Sequence, residues 1–191
     1  TSSRILNHLA NICEFPVNVV SLTGGVNYYL PNTRSSIFNA KLYLTPAPLL
    51  MASEDIVKAM EQEPSVKQIR HMATLAQMSI VGIGGVDSNA TLLTNGTLNH
   101  SDVLLLSMQG AVGDMLCHFI DKDGNVIQSS LDRRLMSTPL EQLKEMSNSI
   151  GVAGGSTKSE AILAALKGNY LDVLITDEAT ATNVLRLKNQ E

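Results

Sequence analysis

Apolar positions recur along the chain at two spacings, and their alternation outlines the architecture. Ile5, Leu6 and Leu9, followed by Ile12, share one helical face, which predicts a helix over about Ser3 to Asn11 capped by Thr1 or Ser2. A β-rich run from Val17 to Leu22 stops at Thr23-Gly24-Gly25. Lys41 to Thr45 predicts a second strand, ended by Pro46-Ala47-Pro48 because proline has no N–H to give a central ladder. Ser53 to Gln62 and Pro64 to Gln77 read as helices, the first N-capped by Ser53 and the second opened by Pro64 in its first turn.

Two later runs, Ser79 to Gly85 and Ser149 to Gly155, are apolar strands stopped by glycines. The second leads directly into a helix from Ser156 to Leu166, with its N-cap in the Ser156 to Ser159 region. A strand over Leu171 to Thr176 and a helix over Glu178 to Leu187 complete the pattern. Strands alternating with helices predict an α/β fold: a mainly parallel, Rossmann-like sheet with helices on both faces and ligands beyond the carboxyl ends of the strands. Between these units lies a less regular insert, with a turn at Asp121-Lys122-Asp123-Gly124-Asn125 and no assignment for Leu131 to Arg134; it reads as a small cap over the cleft.

Composition narrows the chemistry. At 191 residues the chain suits one substantial core or a tight pair of lobes. With 44% hydrophobic and 17% charged residues it reads as a globule, and no apolar run is long enough for a bilayer. A formal charge of −4 argues against a phosphate-backbone footprint, so DNA contacts are expected elsewhere. Cys13 and Cys117 lack metal spacing and read as small buried hydrophobes in a reducing cytoplasm. The Thr1-Ser2-Ser3-Arg4 start has neither an initiator Met nor the regions of a signal peptide, and predicts a chain that begins inside a larger protein.

Three glycine pairs follow apolar strands: Gly24-Gly25, Gly84-Gly85 and Gly154-Gly155. Each either exposes backbone N–H groups to an anion or simply tightens a turn. Neither GxGxxG nor GxxxxGK[ST] is intact, so no nucleotide cofactor is expected. Lys158, in the first turn of its helix, sits where positive charge is unfavourable, and an anion there would relieve it; the alternative is a solvated lysine. Asp114 in Gly110-Ala111-Val112-Gly113-Asp114 reads as a carboxylate pointing from a turn into a cleft, able to accept two sugar hydroxyls, or else as a helix cap. The four histidines have no nucleophile motif beside them, and no metal is expected. His118 would share a face with Asp114 if the two lay on one helix.

Seven segments in order resemble the sugar-binding domain of SorC/DeoR-family transcriptional regulators. They are Ser21 to Gly25, Thr45 to Pro48, Ile83 to Val86, Gly110 to Asp114, Phe119 to Gly124, Gly151 to Gly155 with Lys158, and Leu174 to Glu178. The resemblance implies a fold similar to glucosamine-6-phosphate deaminase and ribose-5-phosphate isomerase, used for sensing rather than catalysis. It implies that Asp114 accepts ligand hydroxyls and that Lys158 contacts phosphate or sugar oxygens. Thr1 would match the threonine after the first phosphate loop, and Thr23, Gly24 and Gly25 the second loop. It further implies that residues 1–191 form an effector-binding and oligomerisation domain, truncated at its N-terminus. Its partners would be a phosphorylated sugar, further copies of itself as dimer or tetramer, and operator DNA through a helix-turn-helix domain absent from this chain. No cofactor is implied. The enzyme alternative, a sugar-phosphate isomerase or deaminase, needs a positioned acid-base pair, for which Asp114 alone is evident.

Overall fold

The computed structural model describes Ile5, His8 and residues 16–25, 40–87, 91–94 and 96–190. Ile5 and His8 are helical; the rest of the helix expected near the N-terminus lies outside the described residues. The chain forms two compact units, Thr1–Ala76 with Arg133–Thr138, and Gln77–Asp132 with Pro139–Glu191.

In the first unit, β1 (Val17–Val20) and β2 (Ala40–Tyr43) pair in parallel, from Val17 opposite Ala40 to Val20 opposite Tyr43. Helix α1 (Glu54–Gln62) begins as its sequence demands, with the Ser53 hydroxyl accepting the Ile56 N–H. Helix α2 (Pro64–Thr74) opens on proline, whose missing N–H would have had no helical partner there. Both helices contribute to a core of Ala47, Met51, Val57, Val66 and Met136. Arg70 on α2 ties the unit together by donating to Glu61 Oε1 at 2.9 Å and to the Ser137 carbonyl at 3.1 Å.

The second unit is built on a five-stranded sheet. Its strands are β3 (Ser79–Gly85), β4 (Ala111–Met115), β5 (His118–Asp121), β6 (Ser149–Val152) and β7 (Val173–Ile175), in the order β5-β4-β3-β6-β7. The β3–β6 and β6–β7 pairs are parallel, as is β1–β2, and among the described strands β4 alone runs against its neighbours, antiparallel to both β3 and β5. The fold is therefore α/β and mostly parallel. The hairpin takes Asp114 out of the expected turn and into a strand, and part of the irregular insert becomes β5.

Five helices of this unit follow: α3 (Thr91–Thr94), α4 (His100–Met108), α5 (Leu140–Glu145), α6 (Ser159–Lys167) and α7 (Glu178–Lys188). Helix α6 packs on β3, β4 and β5, and α7 packs on α6. Helix α4, unassigned from sequence, starts at a capping box in which Asn99 accepts the Asp102 N–H at 2.9 Å and Asp102 accepts the Asn99 N–H at 3.0 Å. No helix among the described residues is long and apolar enough to cross a membrane.

One buried lock joins the Asp121–Asn125 turn to the end of α6. Asp121 Oδ1 accepts the N–H groups of Asp123 and Asn125, each at 2.9 Å, and Gly124 takes φ 86°, which glycine adopts without strain. The Tyr170 hydroxyl then donates to the Gly124 carbonyl at 2.6 Å, with Lys144 Nζ 4.7 Å from the ring centre. Tyr170→Phe leaves that buried carbonyl without the hydroxyl and should cost about 1–3 kcal/mol in urea unfolding. A cost below a few tenths would show that water replaces the hydroxyl.

Candidate functional site

The chemistry foreseen for Asp114 and Lys158 gathers where β3 meets β4 and the turn before α6. Antiparallel register places Gly84 directly opposite Asp114 and Ile83 opposite Met115. Directly opposite residues project to the same face, so the Asp114 side chain lies over the bare α-carbon of Gly84. A Cβ built on Gly84 would fall 1.9 Å from Asp114 Oδ1. Asp114 is half-buried. Burial pushes its pKa up to about 6, against the backbone N–H of Cys117, the Lys158 ammonium and His118, which each favour the charged form.

The N–H of Cys117 comes from the tight β4–β5 turn. Leu116 and Cys117 both take positive φ, 50° and 70°, as a two-residue hairpin of the type I′ kind requires. Neither is the Asn or Gly such a turn favours, so the Asp114 carboxyl steadies an unfavourable backbone. Burial, with the Asp114 charge second, pushes the Cys117 thiol well above its usual range, which leaves it a poor nucleophile.

Lys158 closes a short 3-10 turn, Ser156–Lys158, and stands at the N-cap of α6. The N-cap of α6 thus falls within the expected Ser156 to Ser159 region, but no side chain makes a cap hydrogen bond, and the Ser159 hydroxyl instead donates to the Ser156 carbonyl at 2.9 Å. Lys158 Nζ donates to the Ile83 carbonyl at 3.0 Å, one residue from Gly84. A half-buried cation and a half-buried carboxylate residue thus share the end of one strand pair. Together they present a cation for an anionic group and acceptors for hydroxyls.

The glycine loop before Lys158 is held from within. Gly155 has φ 105°, and its N–H donates to Asp177 Oδ2 at 3.1 Å and to Thr180 Oγ1 at 2.8 Å. Asp177 also N-caps α7, accepting the Thr180 N–H at 2.8 Å and the Thr180 hydroxyl at 2.7 Å. These bonds, led by the Thr180 hydroxyl, hold the exposed Asp177 carboxyl below the ordinary range. At Gly155 the loop therefore serves a carboxylate of its own protein. The Asp177–Thr180 clamp was not foreseen from sequence, although Asp177 followed by Thr180 is a visible N-cap spacing.

The Thr23-Gly24-Gly25 loop, in the first unit, is similarly engaged. Gly24 N–H donates to the Met136 carbonyl at 2.7 Å and Gly25 N–H to the Ala47 carbonyl at 2.9 Å, and Thr23 bridges to Ser137. Thr1 lies outside the described residues.

His118 does not pair with Asp114 along a helix. It sits across the hairpin opposite Met115, while Asp114 is opposite Phe119, so the two side chains leave opposite faces. His118 is buried, with Nδ1 2.7 Å from Asp132 Oδ1 and Nε2 without a protein partner. Among the described residues, no three His, Cys, Asp or Glu side chains converge to hold a metal ion.

The family model Sugar-bind, described as "Putative sugar-binding domain", matches residues 1–186. The transcriptional regulator LsrR of Klebsiella pneumoniae is 35% identical over 186 residues, 95% of this chain and 58% of that protein. The chain thus spans somewhat over half the length of such relatives. A DeoR family transcriptional regulator from Listeria monocytogenes shares the fold with a TM-score of 0.84 at 21% identity, over 95% of this chain and 74% of that one. The full-length sorbitol operon regulator SorC from Klebsiella pneumoniae superposes with a TM-score of 0.76 at 25% identity, over 88% of this chain and 58% of its own. With the family model covering residues 1–186, this chain belongs to the Sugar-bind family.

Proposed function

We propose that this chain is the effector-sensing domain of a bacterial transcriptional regulator of carbohydrate metabolism, and that it binds a phosphorylated sugar. Operator binding would belong to a helix-turn-helix segment of a longer, cytoplasmic, homo-oligomeric protein. The carrying observation is the placing of the half-buried Asp114 and the Lys158 ammonium at one strand end, in a family described by sugar binding. Asp114 accepts sugar hydroxyls; Lys158 leaves the Ile83 carbonyl for the anionic group. Binding that favours one of two quaternary arrangements then changes operator affinity. The isomerase or deaminase reading is less well supported, because His118 points away from Asp114 and is engaged by Asp132.

Thermal shifts with D-glucose 6-phosphate, D-fructose 6-phosphate, D-ribose 5-phosphate and the unphosphorylated sugars test the reading. A specific binder at 100 times its Kd adds about 2.7 kcal/mol. Lys158→Ala and Asp114→Ala should each weaken it roughly tenfold to a hundredfold, as expected for charge-assisted hydrogen bonds. Lys158→Ala should also flatten the salt dependence, whereas Asp114→Ala should blur discrimination between sugars that differ at one hydroxyl. Unchanged affinity in both variants, with circular dichroism unchanged, would place the pocket elsewhere.

A further inference from the structure

We propose that Gly84 is the positioning residue for Asp114: the side chain it lacks is the space in which Asp114 Oδ1 lies, and this sets where the carboxyl meets a ligand hydroxyl. The ligand part rests on the effector reading above; the positioning part does not.

Three glycines on two adjacent strands separate the causes. At Gly82 an added Cβ would meet nothing within 4 Å. At Gly113 it would meet Ala161 Cβ at 2.3 Å and the Gly84 carbonyl oxygen at 2.7 Å, a helix residue and backbone. At Gly84 the nearest atoms all belong to one side chain: Asp114 Oδ1 at 1.9 Å, Cγ at 2.9 Å and Oδ2 at 3.5 Å. Sheet packing accounts for Gly113 and leaves Gly82 unconstrained. At Gly84 the three closest contacts are all with the Asp114 carboxyl. Because a carboxyl tip rotates more easily than a strand moves, alanine at position 84 displaces Asp114 and leaves the sheet in place. The displaced carboxyl gives up the Cys117 N–H and its fixed relation to Lys158, which is tied to the Ile83 carbonyl beside Gly84. The groups acting on Asp114 are then Lys158 from the turn before α6 and His118 from β5, while β3 offers it only Gly84 and the neighbouring backbone.

The test compares Gly84→Ala, Gly82→Ala, Asp114→Ala and the double variant Gly84→Ala/Asp114→Ala in the whole chain. It reads the Asp114 carboxyl titration by carbon-13 NMR, urea unfolding, and affinity for whichever of the three sugar phosphates above binds the wild type. Gly84→Ala should shift the Asp114 titration from its wild-type value and weaken the ligand about tenfold or more. Gly82→Ala should change neither, and Gly84→Ala should add nothing to the affinity loss of Asp114→Ala, since the coupling is between these two residues. If Gly84→Ala fails to fold, the double variant, with no carboxyl to collide with, should fold; failure of both overturns the proposal. So does a Gly84→Ala titration identical to wild type, or an affinity loss that persists undiminished in the Asp114→Ala background. A moved titration with no sugar phosphate bound by the wild type supports the positioning and overturns the effector reading.

Discussion

Gly113→Ala should destabilise the second unit by about 3 kcal/mol, at the upper end of what overpacking costs. Gly113 is a buried residue of β4 beneath α6, and an added methyl would lie 2.3 Å from Ala161 Cβ, 2.7 Å from the Gly84 carbonyl oxygen and 3.1 Å from Ala161 Cα. None of these can rotate away. Ala161 is 1% exposed, flanked on α6 by the fully buried Ile162, so relief requires the helix to lift off the sheet. Lifting α6 also disturbs Lys158 at its N-cap, so loss of stability should come with loss of ligand binding. Ala161→Gly removes the nearest collision and should restore part of the stability, less about 1 kcal/mol for glycine inside a helix. Urea unfolding, with amide exchange along α6 as the local probe, measures both effects. A loss under about 1 kcal/mol in Gly113→Ala would show that the helix has slack over the sheet.

Asp114→Asn should make the domain more stable at neutral pH and remove one source of its pH dependence. Burial raises the folded-state pKa from 3.8 to about 6, so this group favours the folded state fully below pH 3.8, and that contribution disappears as pH rises through about 6. The interval corresponds to roughly 3 kcal/mol, which the wild type forgoes at pH 7 by keeping an ionised carboxyl half-buried. Asparagine keeps the shape and an oxygen for the Cys117 N–H but cannot ionise. The stability difference between variant and wild type should therefore grow in favour of the variant by about 2.4 kcal/mol between pH 4 and pH 7. Asp121 and Asp177, whose pKa values are lowered, contribute in the opposite sense, above their unfolded values and lost on acidification, and they cancel in the difference. A difference that stays constant with pH would show that Asp114 is solvated in solution. The gain should come with weaker sugar-phosphate binding, the usual exchange of stability for function at a site that holds an unfavourable charge.

Local periodicity made much of the fold legible. Ser53 and Pro64 mark helix starts that the structure confirms, because capping depends on residues only a few positions apart. The apolar runs ending in Gly85 and Gly155 became the parallel pair β3 and β6 for a similar reason: an apolar stretch with a glycine stop is a local signal. Helix α4 was missed although Asn99 and Asp102 stand at capping-box spacing, since its apolar run Val103 to Leu106 has no clear helical period. Asp114 was recognised as a binding candidate but placed in a turn, because Gly110 to Gly113 reads locally as a breaker.

What the sequence determined by itself was the α/β class, most element positions and the family resemblance, and it singled out Asp114 and Lys158, the two side chains proposed above to meet a sugar phosphate. The tertiary structure alone decided what the glycines are for. Gly155 is turned towards Asp177, Gly113 makes room for α6, and Gly84 makes room for the Asp114 carboxyl. Each of these follows from strand register or helix docking between distant segments, and one residue of slip in register would send Asp114 to the other face of the sheet. No local spacing encodes that choice, because it is the burial of whole faces that selects the register.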